Sequence, residues 1–218
     1  GRPDWLLGED ARLRAEIDRF KPSDAGAGGD RLLPLALLWM NDSEDELQDE
    51  DIMMPLNWQS ESSTPVAVHR SSWTAPNATF VGLKAGSPSA PHGQMDIGSF
   101  VLDADGVRWA IDLGAEGYHG IESRGMNLWN AAQDSDRWTI FRQSNSGHNT
   151  LVIDGKLQVA KGHAKIVEFS DDPKSPHSVA DLSAVYKGQV DSARRGVTLL
   201  PSREVRIEDN LTGLAPGS

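Results

Sequence analysis

Four side chains that could carry chemistry stand at the ends of short apolar runs: His92, Asp96, Asp112 and His148. Neutral imidazole and carboxylate groups are ligands of zinc, which needs three or four of them. An imidazole can also transfer a proton or neutralise a negative charge, because its pKa lies near neutrality. These residue types therefore leave three alternatives open: a metal site, proton transfer at His92, and structural hydrogen bonding.

A long segment between two apolar runs brings flat aromatic side chains next to Arg and Asn side chains. An aromatic face can stack on a sugar ring, and a guanidinium can pair with a carboxylate through two hydrogen bonds. Long loops on β scaffolds often carry function. This composition is typical of a surface that meets an acidic sugar, and packing of the loop on a sheet is the alternative. The side chains concerned are Arg124, Asn127, Trp129, Asn130, Arg137, Trp138 and Arg142.

The elements that must position these groups are strands. From Pro65 onwards the apolar residues alternate with a period of two, and turn signals such as Asp105-Gly106 separate the runs. About nine short strands of this kind predict a mainly β fold, an antiparallel β-sandwich with Trp109 in its core. The clearest runs cover residues 66–70, 78–83, 99–102, 107–113, 151–153, 165–169, 180–186 and 204–208.

The N-terminal part of the chain has a different pattern. Residues 1–20 and 31–41 show helical periodicity, with a Pro- and Gly-rich breaker between them. An acidic run at residues 42–51 indicates a solvated segment, with a cation site as the alternative. Two short helices lack the partners to form a domain alone. We therefore predict a short helical segment and linker at residues 1–60 and a β-sandwich domain at residues 61–218, truncated at its C-terminus.

Charge and composition exclude some classes of protein. The net charge of −11 comes from 21 basic and 32 acidic residues, which argues against a nucleic-acid binder with its basic stripe. No apolar run reaches the roughly 18 residues of a membrane helix. The chain contains 0 Cys, so disulfides and thiolate metal sites are excluded, although this does not choose a compartment. We predict neither a nucleic acid nor a membrane as a partner.

Several ordered pieces of sequence form one larger pattern between residues 65 and 158. They are Arg70-Ser-Ser-Trp73, the Gly-rich stretch 86–100 around His92, the stretch 106–114 that ends Asp112-Leu-Gly, Tyr118, Arg137-Trp138 with Arg142, and the stretch 147–155 that begins Gly-His148-Asn-Thr. In this order the pieces resemble the heparinase II/III-like family of polysaccharide lyases. The set is specific for the family and not for one substrate.

The resemblance implies a fold and a reaction. Members of this family join an N-terminal α/α toroid to C-terminal antiparallel β-sandwich domains, and the substrate lies in the cleft between them. The reaction is β-elimination on a polysaccharide that contains uronic acid. The short helical N-terminal segment would then be a remnant of the toroid. An acidic polysaccharide or oligosaccharide is the expected partner, and a periplasmic or secreted bacterial location is expected.

The resemblance also implies roles for single residues. His92 matches the first His of a His-x-His motif and would be the catalytic residue that faces the substrate. Asp112 and His148 match two ligands of a structural zinc, whereas the third position holds Gln94, whose amide is a poor zinc ligand. Asp96 matches an Asp that would orient the loop. The residues expected to bind substrate are Tyr118, Arg124, Trp138 and Arg142.

Two features of the sequence keep other functions open. The chain has 2 Tyr and too little helix for a toroid, so we expect the toroid's catalytic groups, and that domain of the same protein, to be missing. A non-catalytic carbohydrate-binding or scaffolding module is therefore the main alternative. A cupin-like oxygenase that uses His92, Asp96 and His148 is a third hypothesis, and the spacing of the first two is wrong for a facial triad.

Overall fold

The structure, a computed structural model, describes residues 55–215. The chain divides into two units, Gly1–Pro55 and Leu56–Ser218, and the architecture below is that of the second. The helices predicted at 1–20 and 31–41, the breaker between them and the acidic run at 42–51 lie outside the described residues.

The first sheet has five antiparallel strands in sequential order. The turn between its last two strands contains Asp105 and Gly106 with φ of 55° and 71°. Two successive positive φ angles are the requirement of a type I′ hairpin turn, so the predicted Asp-Gly turn is confirmed. The strands are β1 (Asn57–Gln59), β2 (Val66–Arg70), β3 (Phe80–Lys84), β4 (Phe100–Ala104) and β5 (Val107–Ala110).

The second sheet has four antiparallel strands, also in sequential order. Its longest strands are the last two, which pair over their full length, from Ser192 opposite Thr212 to Leu199 opposite Val205. The strands are β6 (Lys165–Ser170), β7 (His177–Asp181), β8 (Ser192–Leu199) and β9 (Val205–Thr212).

The core lies between the two sheets. Alternate residues of β2, β7 and β8 are buried, as the period of two requires. Val81 and Leu83 of β3 join Ala193 and Val197 of β8 in one buried cluster. On β2 the buried His69 crosses to the second sheet, where its Nε2 lies 3.0 Å from Ser178 Oγ. Two packed antiparallel sheets confirm the predicted β-sandwich.

Some strands differ from the prediction. β8 was not predicted, because Arg194, Arg195 and Gly196 in its middle interrupt the alternation of apolar residues. Arg195 is nevertheless 5% exposed, and it forms an ion pair with Asp209 of β9 at 2.7 Å. Residues 151–153 form no strand, and the run at 180–186 is a strand only to Asp181. β1 lies within residues 1–60, so the sheet begins before residue 61.

Trp109 corrects a second expectation. Its side chain is 67% exposed, because β5 is the edge strand of its sheet and has no partner among the described residues on its outer side. The indole Nε1 donates to the carbonyl of Ala104 at 3.2 Å. The prediction that Trp109 belongs to the core is wrong.

Helical structure in residues 55–215 is brief and lies in the connection from β5 to β6. It consists of α1 (Tyr118–Glu122) and three 3₁₀ turns, Asp136–Thr139, Phe141–Gln143 and Asn145–Gly147. None of the described helices has the length and apolar character needed to span a bilayer.

Candidate functional site

Two loops at one end of the sandwich form the candidate site: the connection between β3 and β4, and the long connection between β5 and β6. Backbone and side-chain hydrogen bonds hold them together. Met95 N donates to the carbonyl of Gln143 at 2.9 Å, and Thr150 Oγ1 donates to the carbonyl of Ile97 at 2.6 Å. Arg195 donates to the carbonyls of Gly98 and Asn149, each at 2.8 Å. The two loops therefore form one unit.

His92 has an unusual backbone conformation. Its φ is 57°, in the left-handed region that few residues other than glycine adopt. The next residue, Gly93, is enclosed by the same turn, since an added Cβ would lie 2.6 Å from the carbonyl oxygen of Pro88. The chain thus needs glycine after His92, and the turn leaves the imidazole exposed at its tip. Conformations of this kind cluster at functional sites.

Three rings meet at this tip. The Nδ1 atom of His92 lies 3.0 Å from Tyr118 Oη, and the two rings are parallel, with centroids 6.2 Å apart. The Trp129 indole stands edge-on to both rings, with its centroid 6.2 Å from His92 and 5.4 Å from Tyr118. We call His92, Tyr118 and Trp129 the ring cluster.

Contacts within the connection from β5 to β6 hold Tyr118 and Trp129 of the ring cluster in place. Tyr118 begins α1 and packs with Ile121 and Leu128 in a small apolar cluster. Trp129 follows Leu128, and its Nε1 donates to Glu122 Oε1 at 2.8 Å. One end of the indole is held by this bond, while the side chain remains 61% exposed.

The ring cluster offers two chemical functions. Because Nδ1 of His92 is engaged by Tyr118, its Nε2 is the ring nitrogen left for a ligand, and it has no hydrogen-bond partner among the described residues. The tautomer that donates from Nδ1 leaves a lone pair on Nε2, which can accept a proton. The exposed face of Trp129 beside it can stack on a sugar ring.

Asp112 and His148 form a second group. His148 Nδ1 lies 2.8 Å from Asp112 Oδ2, and its Nε2 lies 3.1 Å from the carbonyl oxygen of Arg142. The hydrogen bond with His148 is the main cause that lowers the pKa of the Asp112 carboxyl below its usual range, and the amide of Gly114 adds to the effect. Asp112 is therefore a carboxylate at neutral pH.

The glycine before His148 is required by packing. A Cβ on Gly147 would lie 2.3 Å from the carbonyl oxygen of Phe141, far inside contact distance. Gly147 ends the last 3₁₀ turn and lets the chain pass close over the preceding one. This close approach brings the His148 ring, whose side chain is 0% exposed, onto Asp112.

The residues present do not fit a structural zinc. A site of this kind takes four protein ligands, and the part of the chain from 55 to 215 contains no group of three or more His, Cys, Asp or Glu side chains that could hold a metal. Both nitrogens of His148 already have hydrogen-bond partners, Asp112 and the carbonyl of Arg142. Gln94 is buried and supplies at most a neutral carbonyl oxygen. No step below uses a metal.

Asp96 has a structural partner. Its Oδ2 accepts from Lys84 Nζ of β3 at 2.5 Å, and its Oδ1 is buried without a partner among the described residues. The ion pair fastens the loop after His92 to the first sheet. The described residues do not bring Asp96 into a metal-binding group with His92 and His148, as an oxygenase would need.

The residues predicted to bind substrate fall into two sets. Tyr118 lies in the ring cluster, Arg124 is exposed and 3.8 Å from Glu116, and Arg142 Nη1 donates to the carbonyl of Leu113 at 2.8 Å. Trp138 is different, because it is 2% exposed and its Nε1 donates to the carbonyl of Ala132 at 2.8 Å. A buried ring cannot stack on a sugar, so the geometry does not support the substrate contact predicted for Trp138.

Trp129 takes the exposed position that the sequence prediction gave to Trp138. Both residues lie in an irregular loop, where neither a helical nor a strand period tells a buried ring from an exposed one. The sequence also did not indicate that Glu122 holds Trp129, because a single Glu in a polar loop looks like any other solvent-exposed charge.

Comparison with known proteins gives a family and a fold. The sequence model of the family described as "Heparinase II/III-like, C-terminal" matches residues 66–218, more than half of the chain. No curated protein sequence matches the chain.

Among solved structures, the chain is similar to a heparinase III, with a TM-score of 0.57 and 19% identity over 96% of this chain and 28% of that one. It is also similar to heparan sulfate lyase HepC from Pedobacter heparinus, with a TM-score of 0.58 and 17% identity over 96% of this chain and 28% of that one. At these identities the likeness shows the fold. The chain spans 28% of the length of these two relatives.

Proposed function

This chain belongs to the heparinase II/III-like family, whose C-terminal domain it contains, and we propose that it supplies the β-sandwich half of a polysaccharide lyase site. The substrate is a polysaccharide that contains uronic acid, cleaved by β-elimination. The remaining catalytic groups come from a toroid domain of the same protein, which also fits the 28% share of its solved relatives that the chain covers. A periplasmic or secreted location is part of the proposal.

The observation that carries this proposal is the backbone conformation, hydrogen bonding and exposure of His92. Its backbone is held at a φ of 57°, its Nδ1 is engaged by Tyr118 Oη at 3.0 Å, and its ring is exposed next to Trp129. A structural histidine gains nothing from exposure at the tip of a constrained turn. A histidine that must present Nε2 to a substrate needs this arrangement.

The reaction requires a base for the C5 proton, a proton for the leaving oxygen, and stabilisation of the negative charge on the uronate carboxylate. A base removes the proton at C5 of the uronate, the electron pair forms the C4–C5 double bond, and the C4–O bond breaks as the leaving oxygen takes up a proton. Negative charge develops on the uronate carboxylate in the transition state, and cationic or donor groups placed there stabilise it. In the tautomer that donates from Nδ1 to Tyr118, His92 accepts the proton at Nε2. In the other tautomer, Nε2–H donates to the carboxylate.

The other residues of the site bind and orient the sugar. Trp129 presents a fixed ring face for stacking, held at one edge by Glu122. Arg124 is exposed beside α1 and can pair with a uronate carboxylate or sulfate group through two hydrogen bonds. Arg142, with one donor on the carbonyl of Leu113, keeps further donors for an anion.

The proposal is tested by product formation. The complete enzyme that carries this chain is incubated with heparan, hyaluronan, alginate and ulvan-type polysaccharides, and unsaturated uronate is followed by its ultraviolet absorbance. We expect product from at least one of them, and little or none from the isolated 218-residue chain. Absence of product from all four substrates would contradict the proposal.

A carbohydrate-binding module is the second candidate function. The exposed indole of Trp129, 61% accessible, is a feature that sugar-binding surfaces share with lyase clefts. Calorimetry of the isolated chain with uronic oligosaccharides separates the two. A module binds the oligosaccharide and its complete protein forms no unsaturated product, whereas a lyase forms product.

A further inference from the structure

Arg137 makes contacts that stability alone does not explain. It lies in the first 3₁₀ turn and is 7% exposed, yet the described hydrogen bonds of its side chain go to two backbone carbonyls, with no carboxylate among the partners. Nη1 donates to the carbonyl of Leu128 at 2.5 Å, and Nη2 donates to the carbonyl of Gly93. A buried cation without an anionic partner is an expensive way to stabilise a fold.

The two carbonyls belong to the chain neighbours of two ring-cluster residues. Gly93 follows His92, and Leu128 precedes Trp129. These segments are 35 positions apart in the chain, from Gly93 to Leu128, and they approach each other at the ring cluster, where the His92 and Trp129 centroids are 6.2 Å apart. One guanidinium thus connects the backbone on both sides of this contact.

The chemistry of arginine suits this bridge. The guanidinium is planar and carries its donors in a fixed fork, so it sets both the distance and the angle between two acceptors. Packing on Trp138, whose ring centroid lies 5.1 Å from Cζ, restricts the plane further. Lysine offers a single rotatable ammonium and cannot hold two carbonyls in one plane. The buried Trp138 ring therefore supports the Arg137 guanidinium.

We propose that Arg137 is a positioning residue, which fixes the His92 imidazole and the Trp129 indole in their mutual orientation. The inference rests on the proposed function in one respect: a sugar stacked on Trp129 would present its C5 proton to Nε2 of His92 only at the separation that Arg137 sets. Arg137 touches neither the sugar nor the proton and acts through the two backbone segments.

The structural part of the proposal is tested by NMR of the protein without any substrate. We expect cross-relaxation between the Trp129 indole and the His92 imidazole, whose centroids are 6.2 Å apart, and hydrogen-bond couplings from the Arg137 Nη atoms to the carbonyls of Gly93 and Leu128. In Arg137→Lys and Arg137→Gln the ring contacts are lost while the amide signals of β8 are unchanged. The coupling measurement uses the unaltered protein, so it decides the question even if a variant does not fold.

A core variant controls for loss of stability. Val197→Ala removes buried volume from β8, where Val197 is 0% exposed, and it leaves Arg137 and both of its carbonyl partners unaltered. We expect it to lower the melting temperature and to keep the ring contacts. Ring contacts that persist in Arg137→Lys, or the absence of both couplings in the unaltered protein, would overturn the proposal.

The functional part is read from kinetics of the complete enzyme. A ring displaced by about 1 Å can cost roughly 100-fold in rate, so we expect Arg137→Lys to lower kcat by that order and to change KM much less. Equal kcat in the variant and the unaltered enzyme would overturn the positioning role. If the unaltered enzyme forms no product, the proposed function fails, while the NMR result still decides whether Arg137 holds the ring cluster.

Discussion

At the scale of the residue, the site depends on which face of each ring is in contact and which is exposed. His92 has one nitrogen on Tyr118 Oη and the other available to a ligand. Trp129 is anchored at its Nε1 by Glu122 and has an open face. The same two residue types occur elsewhere with opposite surroundings: His69 is 1% exposed and Trp138 is 2% exposed. Residue type alone therefore does not identify the site.

The two tryptophans provide a paired test. Trp129→Ala removes an exposed ring, so we expect its free energy of unfolding to change by less than about 0.5 kcal/mol and the affinity for uronic oligosaccharides to fall roughly tenfold. Trp138→Ala removes a buried ring and should cost about 3–5 kcal/mol of stability. Calorimetry and urea denaturation measure the two effects. Unchanged affinity in the folded Trp129 variant would contradict the role of this ring.

The buried His69 should make the free energy of unfolding of the protein depend on pH. Burial, with repulsion from His177 as a second cause, lowers its pKa from 6.5 to about 4. Between these two values the unfolded chain binds a proton that the folded chain does not, so stability falls as the pH decreases from 6.5 to 4. The loss is about 3 kcal/mol at the lower end. Urea denaturation across this range measures it.

His69→Gln is the control for this pH dependence. Gln can keep a hydrogen bond to Asn57 or Ser178, the partners of the His69 ring, and has no proton to gain. The difference in stability between the unaltered protein and the variant should shrink as the pH falls. A constant difference from neutral pH to pH 4 would show that His69 is not the cause.

The sequence predicted the residues of the site better than their roles. His92, Asp112 and His148 could be found because each stands next to glycine or at the end of an apolar run, whereas Tyr118 was implied only by the family resemblance. The resemblance placed Asp112 and His148 together as ligands of one zinc, but the sequence did not show that they form a direct hydrogen bond across a separation of 36 positions. The exposure of Trp129 and the burial of Trp138 depend on how that loop packs.

At the scale of the element, the connection from β5 to β6 carries most of the site without regular secondary structure. It contains one five-residue helix and three 3₁₀ turns, so side chains and close packing hold its shape. Arg137 connects it to the loop after β3, and Arg195 of β8 connects both loops to the sandwich. The site is rigid to the extent that these contacts persist.

Gly147 and Gly120 test the packing of this connection. In Gly147→Ala the new methyl group would meet the carbonyl of Phe141 at 2.3 Å, so the 3₁₀ turn must open and His148 should move away from Asp112. We expect a loss of stability of about 1–3 kcal/mol. Gly120→Ala meets no atom within 4 Å and lies inside α1, where alanine favours the helix by about 1 kcal/mol.

Thermal denaturation of the two variants is the measurement. A melting temperature below that of the unaltered protein for Gly147→Ala, and one equal or higher for Gly120→Ala, is the expected result. Equal destabilisation by both substitutions would mean that glycine is needed for a reason other than the close approach to Phe141.

Strand prediction succeeded where apolar residues alternate and failed where charge is buried. β2 follows the period of two, with Ala67 and His69 buried between partly exposed neighbours. β8 was missed because its inward residues include Arg195, which is acceptable inside the sandwich only because Asp209 and two carbonyls satisfy it. A single sequence does not show that partner, since β9 lies further along the chain.

At the scale of the whole molecule, the described residues form a two-sheet sandwich with the candidate site at one end. The candidate site consists of the ring cluster and the Asp112–His148 pair. The fold class could be predicted from the sequence because alternation and turn signals are local properties. We propose that the site is half of a cleft and that the remaining catalytic groups belong to a second domain.

The measurement that tests the central claim most directly is the rate of unsaturated uronate formation by the complete enzyme and by its His92→Ala variant. General acid–base catalysis typically contributes roughly 100- to 10,000-fold, so we expect kcat to fall by at least the lower value. His119→Ala is the matched control, because His119 is an exposed neighbour of Tyr118 in α1 and is not part of the ring cluster. A His92→Ala variant as active as His119→Ala would contradict a catalytic role for His92.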